Sequence, residues 1–188
     1  AGTYTCDITD ANGCFTTVST SINEPTEIEA NIIGDSLLCF GDVGSAISNA
    51  SGGTGPGTYT YSWLPLVATT ANINNLSAGT YYLTVTDADG CSTLSTAAVI
   101  WEPTELTAAI SYTPIYCVGD ISTATVTAGG GTTPYYYVWT GGPLASINTN
   151  SLYTGLSTGL HSVDVTDVNG CSETAAVLIS SPGQLTPN

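Results

Sequence analysis

The chain of 188 residues carries 15 acidic residues and neither Lys nor Arg, a formal net charge of −15 at pH 7. Nucleic acid and anionic membrane surfaces are excluded as partners, because both are held through Lys and Arg. Lys–Asn isopeptide crosslinks are excluded for the same reason, and trypsin-like proteases find no residue to cleave after.

From the N-terminus onward the chain repeats itself. The turn Asp10-Ala11-Asn12-Gly13-Cys14 returns as Asp87-Ala88-Asp89-Gly90-Cys91 and again as Asp167-Val168-Asn169-Gly170-Cys171, at steps of 77 and 80 residues. Glu24-Pro25-Thr26-Glu27 returns as Glu102-Pro103-Thr104-Glu105, Cys39-Phe40-Gly41-Asp42 as Cys117-Val118-Gly119-Asp120, and Trp63 as Trp139. A period near 78 residues is too long for a solenoid coil and fits a small sandwich domain. The expected organisation is the C-terminal part of one repeat at 1–24, full repeats at 25–102 and 103–181, and the start of another at 182–188.

Within the first full repeat, strands are expected near 28–33, 44–50 and 59–63, with Gly52-Gly53-Thr54-Gly55-Pro56 as a loop. Tyr81, Leu83 and Val85 then alternate with Thr80, Tyr82, Thr84 and Thr86, the period of a half-buried strand, which turns at 87–90 and returns from Cys91 to Ile100. Asn-Gly and Asp-Gly supply the positive φ that tight hairpins need. No helical period occurs and no run of about 18 apolar residues would cross a membrane. The fold class is all-β: tandem immunoglobulin/PKD-like β-sandwich repeats of about seven strands, with Trp63 and Trp139 as the large core aromatics. Tyr4, Tyr81 and His161 share one position at the start of the penultimate strand, where a tyrosine corner sits in immunoglobulin-like domains. The single His is therefore a structural substitute for Tyr rather than a catalytic base.

Ala78-Gly79-Thr80-Tyr81, Thr84-Val85-Thr86-Asp87, Gly90-Cys91, the Glu-Pro-Thr linker, the Cys-x-Gly-Asp turn and Tyr59-Thr60-Tyr61-Ser62-Trp63 together resemble the SprB repeat family of Bacteroidetes, over essentially the whole chain. The resemblance implies a segment of a very large secreted surface adhesin, a mobile or anchored filament that grips substrata or polysaccharide. Two departures are the Gly129-Gly130-Gly131-Thr132-Thr133-Pro134 loop and Cys6, which stands where other copies have Leu83 and Val163.

Six Cys without a Cys-x-x-Cys pair imply structural disulfides and an oxidising, extracellular compartment. Two pairings stay open. Small secreted domains staple themselves, which gives Cys39 with Cys91 and Cys117 with Cys171. Immunoglobulin strand order instead puts the loop of Cys39 at the bottom of one repeat and the hairpin of Cys171 at the top of the next, which gives Cys39 with Cys171. Cys6 shares a face with Tyr4 and Ile8 and is expected to point into a core; it and Cys14 have no assigned partner.

Asp42, Glu102, Glu105 and Asp167 are expected to gather at the junction of the two full repeats, with Asp87 and Asp89 as their counterparts one repeat earlier. Calcium, which takes six to eight oxygens, is the one candidate cofactor. Against it stands the turn chemistry that Asp-x-Asn-Gly performs unaided. Asp35-Ser36-Leu37 fits the Asp-Ser/Thr-aliphatic O-glycosylation motif of Bacteroidetes, and Asn49 and Asn75 open N-glycosylation triplets.

No nucleophile–base pair surrounds His161, and a site recurring every 78 residues suits a spacer better than an enzyme. The expected function is a structural, adhesive array. Its partners are neighbouring repeats, other copies of the chain, and a surface or polysaccharide ligand. The alternative is a glycan-binding or spacer module of a secreted polysaccharide-degrading protein, with Tyr59, Tyr61, Tyr82, Tyr135 and Tyr137 exposed for stacking on sugars.

Overall fold

A computed structural model describes residues 1–140, 147, 148 and 150–183. Residues 184–188, most of the segment expected to open a further repeat, lie outside the described residues. In chain order the strands are β1 (Gly2–Thr9), β2 (Phe15–Ile22), β3 (Glu29–Gly34), β4 (Gly44–Ser51) and β5 (Thr60–Leu64). They continue as β6 (Asn72–Leu76), β7 (Gly79–Thr86), β8 (Ser92–Leu94), β9 (Ala98–Ile100), β10 (Thr107–Tyr112) and β11 (Ser122–Gly129). The last are β12 (Tyr136–Thr140), β13 (Ile147–Asn148), β14 (Leu152–Leu156), β15 (Gly159–Thr166) and β16 (Ser172–Ile179).

The same two-sheet plan occurs twice. β3, β4 and β6 form one three-stranded sheet, and β5, β7 and β8, with β9 also on β7, form the other. Their counterparts are β10-β11-β14 and β13-β12-β15-β16. The period-two pattern sets which side chains are inside. Tyr81, Leu83 and Val85 of β7 are buried between less buried Thr80, Tyr82 and Thr84, and His161, Val163 and Val165 repeat that on β15. Trp63 and Trp139 are each only 1% exposed.

The chain divides into two compact units. The first comprises Ala1–Gly34, Ala46–Ile73 and Thr80–Ala98, and the second comprises Asp35–Ser45, Asn74–Gly79 and Val99–Asn188. The first unit buries Ile28, Ala46, Trp63, Ile73 and the inner face of β7. The core of the second is built on Ile115, Val126, Tyr137, Trp139, Leu156, Val163, Val165 and Ile179, with Trp139 and Tyr153 rings 5.3 Å apart. Segment 35–45 falls inside the first full sequence repeat yet folds into the second unit.

One glycine pair shows how tightly the loops are drawn. Gly52 and Gly130 have φ of +79° and +71°, and a Cβ on either would lie within 1.9 and 1.8 Å of the carbonyl oxygens of Glu27 and Glu105. The backbone there passes the linker with no room for a side chain.

β1 and β2 pair along their whole length, from Gly2–Ile22 to Thr9–Phe15, as a separate two-stranded sheet. Tyr4, Cys6, Ile8, Val18 and Ile22 share one face, yet every residue of both strands is exposed. This corrects the expectation that Cys6 is buried. Alternation placed it on the apolar face, and no opposing sheet covers that face in the structure.

Candidate functional site: the disulfide-linked loop and hairpin

Each hairpin turn is built around the carboxylate of its first residue. Asp167 Oδ1 accepts the N–H groups of Asn169 (2.9 Å) and Cys171 (3.0 Å), and its Oδ2 accepts Thr132 N–H from the glycine-rich loop (2.8 Å). Asp87 does the same with Asp89, Cys91 and Thr54, at 3.1, 2.9 and 2.9 Å. Asp10 caps Asn12 and Cys14 at 2.9 and 2.8 Å. The Thr54 N–H is the foremost influence holding the Asp87 carboxyl below the ordinary aspartate range, with further N–H donors outweighing its burial. For Asp167, burial is the largest single influence and pushes upward. The N–H groups of Thr132, Cys171, Asn169 and Gly170 together overcome it, so its pKa is also lowered. The sequence suggested the turn; the clasp onto a loop more than thirty residues away it did not.

The second part of the site is the Cys-x-Gly-Asp loop. Asp42 Oδ2 accepts Cys39 N–H at 3.1 Å, and Asp42 N–H donates back to the Cys39 carbonyl at 3.3 Å, which closes a tight turn. That turn presents Cys39 to Cys171. The two form a disulfide with Cα atoms 5.6 Å apart, 132 residues separated in sequence. Around it, Asn169 Nδ2 donates to the Leu38 carbonyl (3.2 Å), Gly41 N–H to Glu102 Oε2 (2.9 Å) and Leu37 N–H to the Trp101 carbonyl (2.8 Å). Ser36 and Trp101 form a parallel bridge. Cys39 and Phe40 thereby line a cleft together with Glu105, Leu106, Cys171 and Ser172.

Of the two pairings open from the sequence, the structure thus has the one between repeats. Cys39–Cys91 and Cys117–Cys171 are not formed, and Cys6, Cys14, Cys91 and Cys117 are exposed free thiols. The reason is the placement of segment 35–45, which lies with Trp101, Glu102 and the Cys171 hairpin.

Among the described residues no three His, Cys, Asp or Glu side chains form a group that could hold a metal ion. Asp42 and Glu102 both take backbone N–H groups of the Cys39 loop, Glu105 lines the cleft, and Asp87 and Asp167 are clasped in their turns, with Asp89 beside Asp87. Ser36, Asn49 and Asn75 are all exposed. The tyrosine set needs correction. Tyr137 is only 7% exposed because the alternation that buries Trp139 buries it too. The hydroxyls of Tyr59 and Tyr135 donate to the carbonyls of Gly52 and Gly130, while Tyr82 is 39% exposed. His161 is buried in the corner position, and its Nε2 lies 2.8 Å from the Ser157 carbonyl oxygen. A carbonyl can only accept, so Nε2 carries a proton and donates it there.

No protein-family model matches the chain, and no curated protein matches it. Among solved structures it is similar to three N-terminal domains of the Highly Immunogenic Outer Capsid protein of bacteriophage RB49, at 20% identity and TM-score 0.45 over 83% of this chain and 59% of that one. It therefore spans less than two thirds of that structure. It is also similar to the amphioxus IgVJ-C2 molecule (15% identity, TM-score 0.34, 81% of this chain, 96% of that one). A third likeness is to the fibronectin(III)-like modules of Clostridium thermocellum CbhA (11%, 0.32, 84% and 100%). The paired sheets define the class by themselves: this is an all-β chain of tandem immunoglobulin-like β-sandwich modules.

Proposed function

We propose that the chain is a structural segment of a secreted bacterial surface adhesin or filament, of the kind the SprB repeat family builds, and that it has no catalytic role. The observation that carries this reading is the Cys39–Cys171 bond. It ties the second-strand loop of one sequence repeat to the last hairpin of the next, so that tension passes through a covalent link rather than through a linker alone. Such a bond persists in an oxidising exterior, and a chain without Lys or Arg resists trypsin-like proteases there. The carboxylates of Asp87 and Asp167 are engaged in backbone hydrogen bonds that hold turns together. The glycan-stacking alternative loses Tyr137 to the core and Tyr59 and Tyr135 to internal hydrogen bonds.

Stretching single chains between their ends tests the mechanical reading. The bond closes a loop of 132 residues, which at about 3.4 Å each hides roughly 450 Å of chain. Oxidised chains should extend by that much less than reduced ones before rupture. Equal extensions would remove the covalently continuous shaft.

A further inference from the structure

The bond that joins the Cys39 loop to the Cys171 hairpin is reachable from solvent. Both half-cystines are only partly buried, and both line an open cleft of about 370 Å3 with Phe40, Glu105, Leu106 and Glu173. A disulfide opens when a thiolate attacks one sulfur and the other departs as a thiolate. Negative charge therefore arrives at the bond and builds up on the sulfur that leaves, and the fixed charges around the cleft act on both.

Those charges are negative. Glu105 and Glu173 are exposed side chains of the cleft wall. Asp42 Oδ2 lies 3.1 Å from the Cys39 nitrogen and Asp167 Oδ1 3.0 Å from that of Cys171, so each half-cystine has a carboxylate against its own backbone. Glu102 takes the N–H of Gly41 in the same loop. The composition supplies little to offset them: there is no Lys or Arg, and His161 is buried in the corner of the core. Asp42, Asp167 and Glu102 are tied to backbone donors, which leaves Glu105 and Glu173 as the carboxylates that meet an incoming reagent.

We propose that Glu105 and Glu173 make this cleft a charge-selective site of thiol–disulfide exchange, which admits cationic and neutral thiols to the Cys39–Cys171 bond and holds off anionic ones of the glutathione kind. The inference rests on the covalently continuous shaft proposed above and deepens it, because it names the class of reductant that unlocks the shaft. Exposed carboxylates act through water, so each is worth a factor of about two to three per unit of reagent charge at low salt and less as salt rises. A chain carrying such a site keeps its crosslink among anionic thiols and loses it to aminothiols.

The exchange consumes two thiols, R–SH. The thiolate of the first bonds to one half-cystine and expels the other, which takes up a proton. The thiolate of the second attacks the sulfur of R in that mixed disulfide and expels the remaining cysteine, which is protonated in turn. Two electrons and two protons pass from the reagent to Cys39 and Cys171, and R–S–S–R leaves.

The test uses the full chain with Cys6, Cys14, Cys91 and Cys117 first capped by iodoacetamide, so that only Cys39 and Cys171 are read. Its probes are cysteamine, whose thiolate form is net neutral, 2-mercaptoethanol, whose thiolate is singly negative, and glutathione, whose thiolate is doubly negative. Opening of the bond is timed by acid quench and peptide mapping, with each rate corrected for the acidity of its thiol. At about 0.01 M salt cysteamine should outpace glutathione at least about tenfold, and about 1 M salt should remove most of that ratio. Glu105→Gln/Glu173→Gln should narrow the ratio about three- to tenfold. Asp7→Asn/Glu29→Gln removes as much charge from residues that do not line the cleft and should leave the ratio nearly unchanged. An unchanged ratio in the first variant, the same narrowing in the second, or equal acceleration of all three thiols, which a loosened loop would give, overturns the proposal. Mapping before reduction separates the two ideas. Without a Cys39–Cys171 bond the shaft fails and the site with it; with the bond present and the ratio unmoved, only this inference fails.

Discussion

The hairpin of β1 and β2 and the hairpin of β15 and β16 have almost the same sequence pattern and opposite fates. Both pair through eight residues a side and turn on an Asp that caps the following N–H groups. In the first, every strand residue is exposed; in the second, His161, Val163 and Val165 are in the core and Cys171 is bonded to Cys39. Pairing and turn geometry are thus local properties of the segment. Burial and crosslinking are not, because they need a facing sheet and a loop that arrives from elsewhere in the chain.

If that division is right, the largest difference between equivalent residues should be at the cysteines. Cys171→Ser opens a loop of 132 residues and should cost about 3–5 kcal/mol of stability on the chain-entropy account. Cys14→Ser, at the same turn position in the first hairpin, should stay within about 0.5 kcal/mol. Denaturant titration of both variants against the parent measures this, and equal effects would break the comparison.

The next difference is in packing. Leu83 and Cys6 are equivalent in the repeat, but Leu83 is fully buried on β7 while Cys6 is exposed. Leu83→Ala should cost about 2–5 kcal/mol, as buried Leu truncations do. Cys6→Ala should change little. If Cys6→Ala destabilised the chain as much, the face of the first hairpin would have to be covered in solution.

These contrasts also show what was legible in the sequence. β3, β4, β5 and β7 lie within a residue or two of the stretches expected for them, most plainly β7, where Tyr81, Leu83 and Val85 alternate with Thr80, Tyr82 and Thr84. β6 has no such pattern: only Ile73 and Leu76 of Asn72–Leu76 turn inward, and Asn75 adopts φ of 58°. Its counterpart β14 was hidden for the same reason. The expected single strand from 91 to 100 is two, because Ser95 breaks it: its N–H and Oγ both bond the backbone of Leu83. At the site, the Asp turns and the cysteine loop were visible as motifs, whereas the choice between two disulfide pairings was not. That choice depends on where 35–45 packs, which no local pattern encodes. Tyr137 could have been placed correctly, since any strand that puts Trp139 inside puts the residue two before it on the same face.

A smaller difference should appear in the pH response. Asp87 and Asp167 have pKa values lowered in the folded state, chiefly by Thr54 N–H and by the four N–H donors that outweigh burial, respectively. A lowered folded pKa means that the unfolded chain binds protons first as pH drops. The two carboxylates therefore contribute fully above the unfolded value of about 3.9, and that contribution is lost as pH falls through their folded values. Melting temperature should decline on the acid side, and the decline should be shallower in an Asp87→Asn/Asp167→Asn double variant. An unchanged acid slope in that variant would show that the clasps onto Thr54 and Thr132 are not what the ionised forms stabilise.

The smallest effect expected is that of calcium. An ion needs six to eight oxygens, and the carboxylates nearest the disulfide already serve the loop: Asp42 holds Cys39 N–H, Glu102 holds Gly41 N–H and Asp167 holds its own turn. Recruiting them would release backbone donors that have no other partner in those turns, which offsets much of what the ion gains. Millimolar calcium should accordingly move the melting temperature by less than about 1 °C, since a ligand stabilises only in proportion to its occupancy of the folded state. A rise of several degrees that disappears in Glu102→Gln would instead mean that the acidic side chains reorganise around the disulfide, and that the loop is held by an ion as well as by the bond.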